Sequence, residues 1–287
     1  MIQLQNVNFH YQKKTPLFKE LNLDIPTGNI YGLLGKNGAG KTSLLKLIGG
    51  LLFPKSGDIS VLGFNPGDRF PAFLSDVFFI PEDLYIPAMK IATFEKIYTP
   101  FYPRFSQKQF YQYLSDFEIP TDRKFTQLSQ GQKKKAMISF GLATNARLLI
   151  LDEPTNGLDI PSKSLFRKII ARAITENQIC IISTHQVRDM GSLMDPIIIL
   201  DGGKIIFQGS VEDIAQKLHF EVSYSRGEPE NVLYAERVPG GYIIVSENVH
   251  DEETEIDIEV FFNAVMANRE AVLAIFDKGK STSLSKD

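Results

Sequence analysis

The segment Gly35-Lys36-Asn37-Gly38-Ala39-Gly40-Lys41-Thr42 restricts most what this chain can fold into. Its glycines let the backbone turn back on itself with its N–H groups pointing inward. The run before it, Asn29 to Leu34, is apolar enough for a buried strand. After it, Lys41 to Leu52 carries Leu44, Leu45, Leu47, Ile48 and Leu51 at helical spacing, with Gly49 and Gly50 weakening the last turn. A strand, a glycine-rich turn and a helix in that order satisfy G-x-x-x-x-G-K-[ST], in which loop amides and the helix N-terminus cradle phosphate groups. Lys41 adds a point charge for the β- and γ-phosphates, and Thr42 offers a hydroxyl to Mg²⁺. Gly35, Asn37, Gly38, Ala39, Gly40, Lys41, Thr42 and Ser43 are therefore the expected contacts of a nucleotide, and ATP with Mg²⁺ the expected ligand.

Around this loop the pattern is α/β. Leu4 to Tyr11 and Leu17 to Ile25 read as strands, and the stretch from Ile86 to Ala143 as mostly helical. There Ser106 and Gln109 have capping-box spacing, and Phe110, Tyr113, Leu114 and Phe117 form a core-facing stripe. Leu148 to Leu151 and Ile179 to Ile182 are short apolar runs, as expected of central strands covered on both faces. The first ends in Asp152-Glu153 and the second in Ser183-Thr184-His185. Polar residues at strand carboxyl ends match the position of ligand sites in open α/β sheets. Asp152 is placed to hold Mg²⁺ and Glu153 to polarise an attacking water, which turns nucleotide binding into hydrolysis.

Composition excludes several alternatives. A net charge of -3 with 43% hydrophobic residues gives no basic footprint for nucleic acid. No run approaches the ~18 apolar residues of a membrane span, so no direct membrane insertion is expected. The opening Met1 to Gln5 lacks a basic region and a long apolar stretch, unlike a signal peptide. The single cysteine, Cys180, lies inside an apolar run and is expected to be a buried hydrophobe.

From about Met1 to Ser210 the chain resembles the nucleotide-binding subunits of ABC transporters. Leu128-Ser129-Gln130-Gly131-Gln132 resembles the signature pentapeptide LSGGQ, and Asn156-Gly157-Leu158-Asp159 resembles the D-loop. His185 stands where the family carries its switch histidine, and Tyr11 where it carries an aromatic that stacks on adenine. The resemblance implies a P-loop ABC ATPase core, with a RecA-like lobe, an antiparallel β subdomain and a helical subdomain over about 86–143. It also implies a head-to-tail dimer in which Ser129, Gly131, Gln132 and Asp159 complete the site of the opposite copy. Free N–H groups at the start of the signature helix suit a phosphate. The triplet Lys133-Lys134-Lys135 in its first turn is either a charge excess that such a phosphate would offset or a solvated run.

Two positions depart from the family. Gln130 replaces the middle glycine of the signature. In Phe79-Ile80-Pro81-Glu82, Glu82 replaces the Q-loop glutamine, where it would face the γ-phosphate and Mg²⁺ and change the metal dependence. Glu82 and the stretch Phe101-Tyr102-Pro103-Arg104-Phe105 resemble a bacterial exporter-type branch that pairs with separately encoded permeases. The implied partners are a second copy, or a homologous subunit, and a membrane permease. The implied location is cytoplasmic, peripheral on the inner face of the membrane. A soluble ABC ATPase acting in an assembly or regulatory complex is the alternative.

After about Leu218 the pattern changes. Phe220 to Tyr224, Val232 to Val238 and Tyr242 to Val245 read as strands, and Ile256 to Phe276 as helical. The expected organisation is an ATPase domain over 1–218, a small α+β appendage over 219–277, and a polar, disordered tail over 278–287.

Overall fold

The computed structural model describes residues 1–13, 15–224, 232–250 and 252–278. The chain opens with β1 (Ile2–Phe9) and β2 (Phe18–Ile25), and passes through β3 (Ile30–Leu34) into α1 (Lys41–Ile48). β4 (Ser56–Val61), the short α2 (Pro71–Leu74) and β5 (Val77–Ile80) follow. A helical lobe comprises α3 (Ile91–Tyr98), α4 (Gln107–Asp116) and α5 (Gln130–Ala143). The chain then returns through β6 (Leu148–Asp152), α6 (Ile160–Ala173), β7 (Ile179–Thr184), β8 (Ile197–Asp201), β9 (Lys204–Gly209) and α7 (Val211–Lys217). It closes with β10 (Leu218–Ser223), β11 (Val232–Val238), β12 (Gly241–Glu247), α8 (Ile258–Ala267) and α9 (Arg269–Lys278).

The central sheet has the order β5-β6-β7-β3-β8-β9. It is parallel from β5 to β8, and β9 joins β8 as an antiparallel hairpin turning at Gly202 and Gly203. Its inner strands β6, β7, β3 and β8 are mainly apolar because both faces are covered. Leu148 and Ile150 of β6, with Ile179 and Ile181 of β7, pack with α1 and the antiparallel sheet β2-β1-β4. The alternate residues Leu149, Leu151, Cys180 and Ile182 pack on the other side with Phe140 of α5 and Phe166 of α6. Cys180 is fully buried, and burial pushes its thiol pKa up. The period-two alternation thus assigns neighbouring residues of one strand to two separate cores.

The C-terminal strands form their own antiparallel sheet, β10-β12-β11, covered by α8. It is not detached from the rest. Phe207 of β9 stands edge-on to Phe261 of α8 at 4.9 Å and to Phe276 of α9 at 5.0 Å. Leu218, at the expected domain boundary, is fully buried in the same apolar cluster as the helical lobe.

Local differences from the sequence reading have simple causes. β1 stops at Phe9, so Tyr11 lies beyond the strand. α1 ends at Ile48 rather than Leu52, where Gly49 and Gly50 halt it. β4, β5 and α6 went unread. Lys278 belongs to α9, and residues 279–287 of the expected tail lie outside the described residues. Among the described residues no helix is long and apolar enough to cross a membrane.

Candidate nucleotide site

Register brings the candidate residues together. β7 lies between β3 and β6 in the sheet. Leu34 pairs with Thr184 and Asp152 with Ser183, so the three strands end level with one another. The loop after β3, the acids after β6 and the histidine after β7 therefore share one edge, as expected at the carboxyl ends of a parallel sheet.

Gly35 opens the loop where no side chain fits: a Cβ there would lie 2.4 Å from the carbonyl oxygen of Leu200. Lys41 curls back over the loop. Its ammonium donates to the carbonyls of Gly35 at 2.8 Å and Lys36 at 3.4 Å, and stands 3.6 Å from Glu153 Oε1. Lys41, Thr42 and Ser43 form the first turn of α1, whose N–H groups have no acceptor within the helix. Together these groups make a cationic, donor-rich concavity suited to phosphate.

Next to the loop, Thr42 Oγ1 donates to Asp152 Oδ2 at 2.7 Å. The other oxygen of Asp152 accepts from the Ser183 hydroxyl. A hydroxyl and a carboxylate meeting at hydrogen-bond distance form a hard oxygen pair, the donor set that Mg²⁺ prefers. The sequence marks Ser183 as a polar residue at a strand end but gives it no role in the site. Its hydroxyl also accepts from the Glu153 amide at 3.2 Å, so it positions both acids. Its only sequence signal was its place at the end of an apolar strand.

Glu153 is buried and has a left-handed backbone, with φ 47, a conformation of order 1–3 kcal/mol above the usual wells for a residue other than glycine. Its carboxylate meets His185: Oε1 lies 2.8 Å from Nδ1, and Oε2 accepts the His185 amide at 3.4 Å. Tyr11 stands across the cleft, 64% exposed, its hydroxyl 2.9 Å from Ser43 Oγ and its ring edge-on to Phe9 at 5.0 Å. A strand tyrosine packed in the core would not be so exposed. The resulting open cleft of about 420 Å³ is lined by Tyr11, Leu17, the loop, Glu82 and Glu153.

Glu82 lines the cleft, yet its Oε1 accepts from Asn156 Nδ2 at 2.8 Å. It is thus engaged with the D-loop, while Thr42 and Asp152 are hydrogen-bonded to each other. Ser129, Gly131, Gln132 and Asp159 do not line the cleft. Ser129 caps α5 in a reciprocal capping box with Gln132, at 3.2 Å and 3.0 Å, and Asp159 caps α6 through the Ser162 amide at 2.8 Å. The Ser162 bonds hold the Asp159 carboxyl below its ordinary pKa. Of the lysine triplet, Lys134 is buried and only 7% exposed, so the run is not uniformly solvated.

The sequence matches the family described as ABC transporter over residues 18–156. It is 27% identical over 265 residues to the ABC transporter ATP-binding protein NatA of Bacillus subtilis, covering 84% of this chain and 99% of that protein. It is 31% identical over 251 residues to a putative ABC transporter ATP-binding protein of Pyrococcus furiosus, covering 81% of this chain and 91% of that one. A dimeric ATP-binding cassette in a post-hydrolysis state, bound to ADP and Pi, shares the fold with a TM-score of 0.63 at 22% identity, over 74% of this chain and 99% of that one. The loop, the acid pair and these relatives agree: the chain belongs to the ABC transporter ATP-binding proteins, the subunits that bind and hydrolyse ATP for a transporter.

Proposed function

We propose that the chain works as one half of a head-to-tail pair in which two ATP molecules lie between copies, and that closing and reopening of this pair drives a separate membrane permease. One observation carries this reading. The phosphate cleft is built on one side by Tyr11, Lys41, Thr42 and Glu153, while Ser129 and Gly131 stand outside it at the start of α5, with Ser129 exposed. Ser129 accepts through its oxygen within the capping box, which leaves its O–H free to donate. A γ-phosphate bound to another copy is the partner that such a helix start would take.

In this reading Lys41 and the loop amides hold the phosphates, with Tyr11 against the base. Thr42 and Asp152 would hold Mg²⁺, which when bound neutralises charge on the phosphate oxygens. Glu153 takes the proton of the attacking water, and His185 fixes the carboxylate and faces the γ-phosphate. ATP binding favours the closed pair and hydrolysis releases it. Attachment to the membrane is peripheral, through the permease. Glu82 and the aromatic stretch Phe101 to Phe105 favour an export direction.

The test is the association state of full-length Glu153→Gln by sedimentation. With Mg-ATP it is expected to dimerise, and with ADP to return to monomer. A protein that stays monomeric at saturating Mg-ATP overturns the paired site.

A further inference from the structure

Lys134 lies in the second turn of α5, two residues after Gln132 of the signature, yet it points into the protein. Its ammonium donates to two backbone carbonyls, those of Glu153 and Asn156, each at 3.1 Å. The two belong to one turn, because the Asn156 amide donates to the same Glu153 carbonyl at 3.2 Å. That turn starts at the residue whose carboxylate faces His185 and whose backbone is left-handed. It ends at the residue that engages Glu82.

A buried ammonium costs free energy unless it is compensated. Here two carbonyl dipoles, with the fields of Glu82, Glu153, Asp83 and Asp152, supply the compensation. A strained glutamate backbone needs a surrounding structure that over-determines it, and Lys134 fixes the carbonyl on the far side of the Glu153 α-carbon. The same helix start touches the D-loop a second time. A Cβ on Gly131 would lie 3.2 Å from the Gly157 carbonyl oxygen, so α5 and residues 156–158 are in close contact.

We propose that Lys134 is a positioning residue for hydrolysis: by holding the carbonyls of Glu153 and Asn156 to the start of α5, it makes the aim of the Glu153 carboxylate depend on the position of the signature helix. The inference rests on Glu153 as the residue that acts on water. Any ligand that moves α5 then moves the carboxylate of the same chain. An ammonium suits this role because its three N–H donors can serve both carbonyls at once, which a carboxylate, having no donor, cannot do.

The experiment uses the full-length chain with Mg-ATP. Lys134→Met is expected to lower kcat by about a hundredfold, the scale of misplacing a reacting group by about 1 Å, while KM changes by less than about threefold. Lys134→Gln keeps a neutral donor and is expected to recover part of that loss. Amide exchange is expected to quicken at Asn156 and Leu158 in either variant, with the rest of the central sheet unchanged. Where methionine does not fold, the glutamine variant carries the same readouts. An unchanged kcat, a fall in nucleotide affinity that matches the fall in kcat, or faster exchange across the whole sheet overturns the proposal. Glu153→Gln run alongside separates the two levels. If it keeps turnover, the role of Glu153 fails. If it abolishes turnover while Lys134→Met is as active as the native chain, only the role of Lys134 fails.

Discussion

His185 offers Nδ1 to Glu153 Oε1 at 2.8 Å and its own amide to Oε2 at 3.4 Å, so one residue at the end of β7 grips both oxygens of an acid at the end of β6. The carboxylate cannot rotate freely, because Lys41 also stands 3.6 Å from it. Removing the acid and removing its clamp are therefore expected to differ. Glu153→Gln should lower kcat by about 10²–10⁴-fold, the usual range for a positioned base, and leave nucleotide binding intact. His185→Ala should also lower kcat, by less, because Lys41 and the left-handed backbone still aim the acid. Steady-state rates with a binding titration of both variants check this, and equal losses would mean that the histidine has a chemical task of its own.

Tyr11 gives a prediction on affinity alone. Its ring is exposed at the cleft, and its hydroxyl ties it to Ser43 in the first turn of α1. Base stacking on an aromatic is worth about 1–3 kcal/mol, so Tyr11→Ala should raise KM for ATP by about tenfold with little change in kcat. Tyr11→Phe keeps the stacking face and loses only the Ser43 contact, so its KM should lie near that of the native chain. Initial rates across a range of ATP concentrations decide it, and a phenylalanine variant as weak as alanine would show that the hydroxyl matters more than the ring.

The sequence was most legible where chemistry forces a local arrangement. Gly35 to Thr42 could be read because a glycine turn between strand and helix has few other uses, and the acids at 152 and 153 because they end an apolar run. β4 could not be read: Gly57 and Asp58 interrupt its alternation and leave only Ile59 and Val61 as buried apolar positions. Lys134 was hidden for a different reason. Its acceptors lie 19 and 22 residues away, on a turn that only the packing of α5 against the D-loop brings near. Glu82 was legible as a departure, yet its engagement with Asn156, 74 residues on, depends on the same packing. What escaped was contact between segments distant in sequence, which periodicity does not encode.

The appendage yields a prediction on stability. Phe261 is fully buried and stands edge-on to Phe207 of the central sheet and to Phe276 of α9. Truncating such a ring leaves a cavity between two elements that cannot both collapse into it. Phe261→Ala should cost about 3–5 kcal/mol in unfolding free energy, as phenylalanine truncations in cores do. Denaturant unfolding followed by far-ultraviolet dichroism checks it. A loss below about 1 kcal/mol, the scale of a surface change, would mean that the appendage is not integrated with the sheet.

Lys134 gives a prediction on pH. Burial lowers its pKa from the ordinary 10.5, and the carboxylates of Glu82, Glu153, Asp83 and Asp152 oppose that shift without cancelling it. The folded chain thus releases this proton at a lower pH than the unfolded chain does. Between the lowered value and 10.5 the unfolded state binds more protons at this site, so the contribution to stability rises with pH. Deprotonation does not break the contacts, since a neutral amine keeps two N–H donors for the two carbonyls. The native chain should therefore gain stability relative to Lys134→Met as the pH is raised from neutral toward 10.5. Comparing the two proteins removes the alkaline titration of every other lysine and tyrosine, which both share. Urea midpoints across that range measure the gap. A gap that narrows on raising pH would mean that the charged form is the better accommodated one, with the acids outweighing the burial.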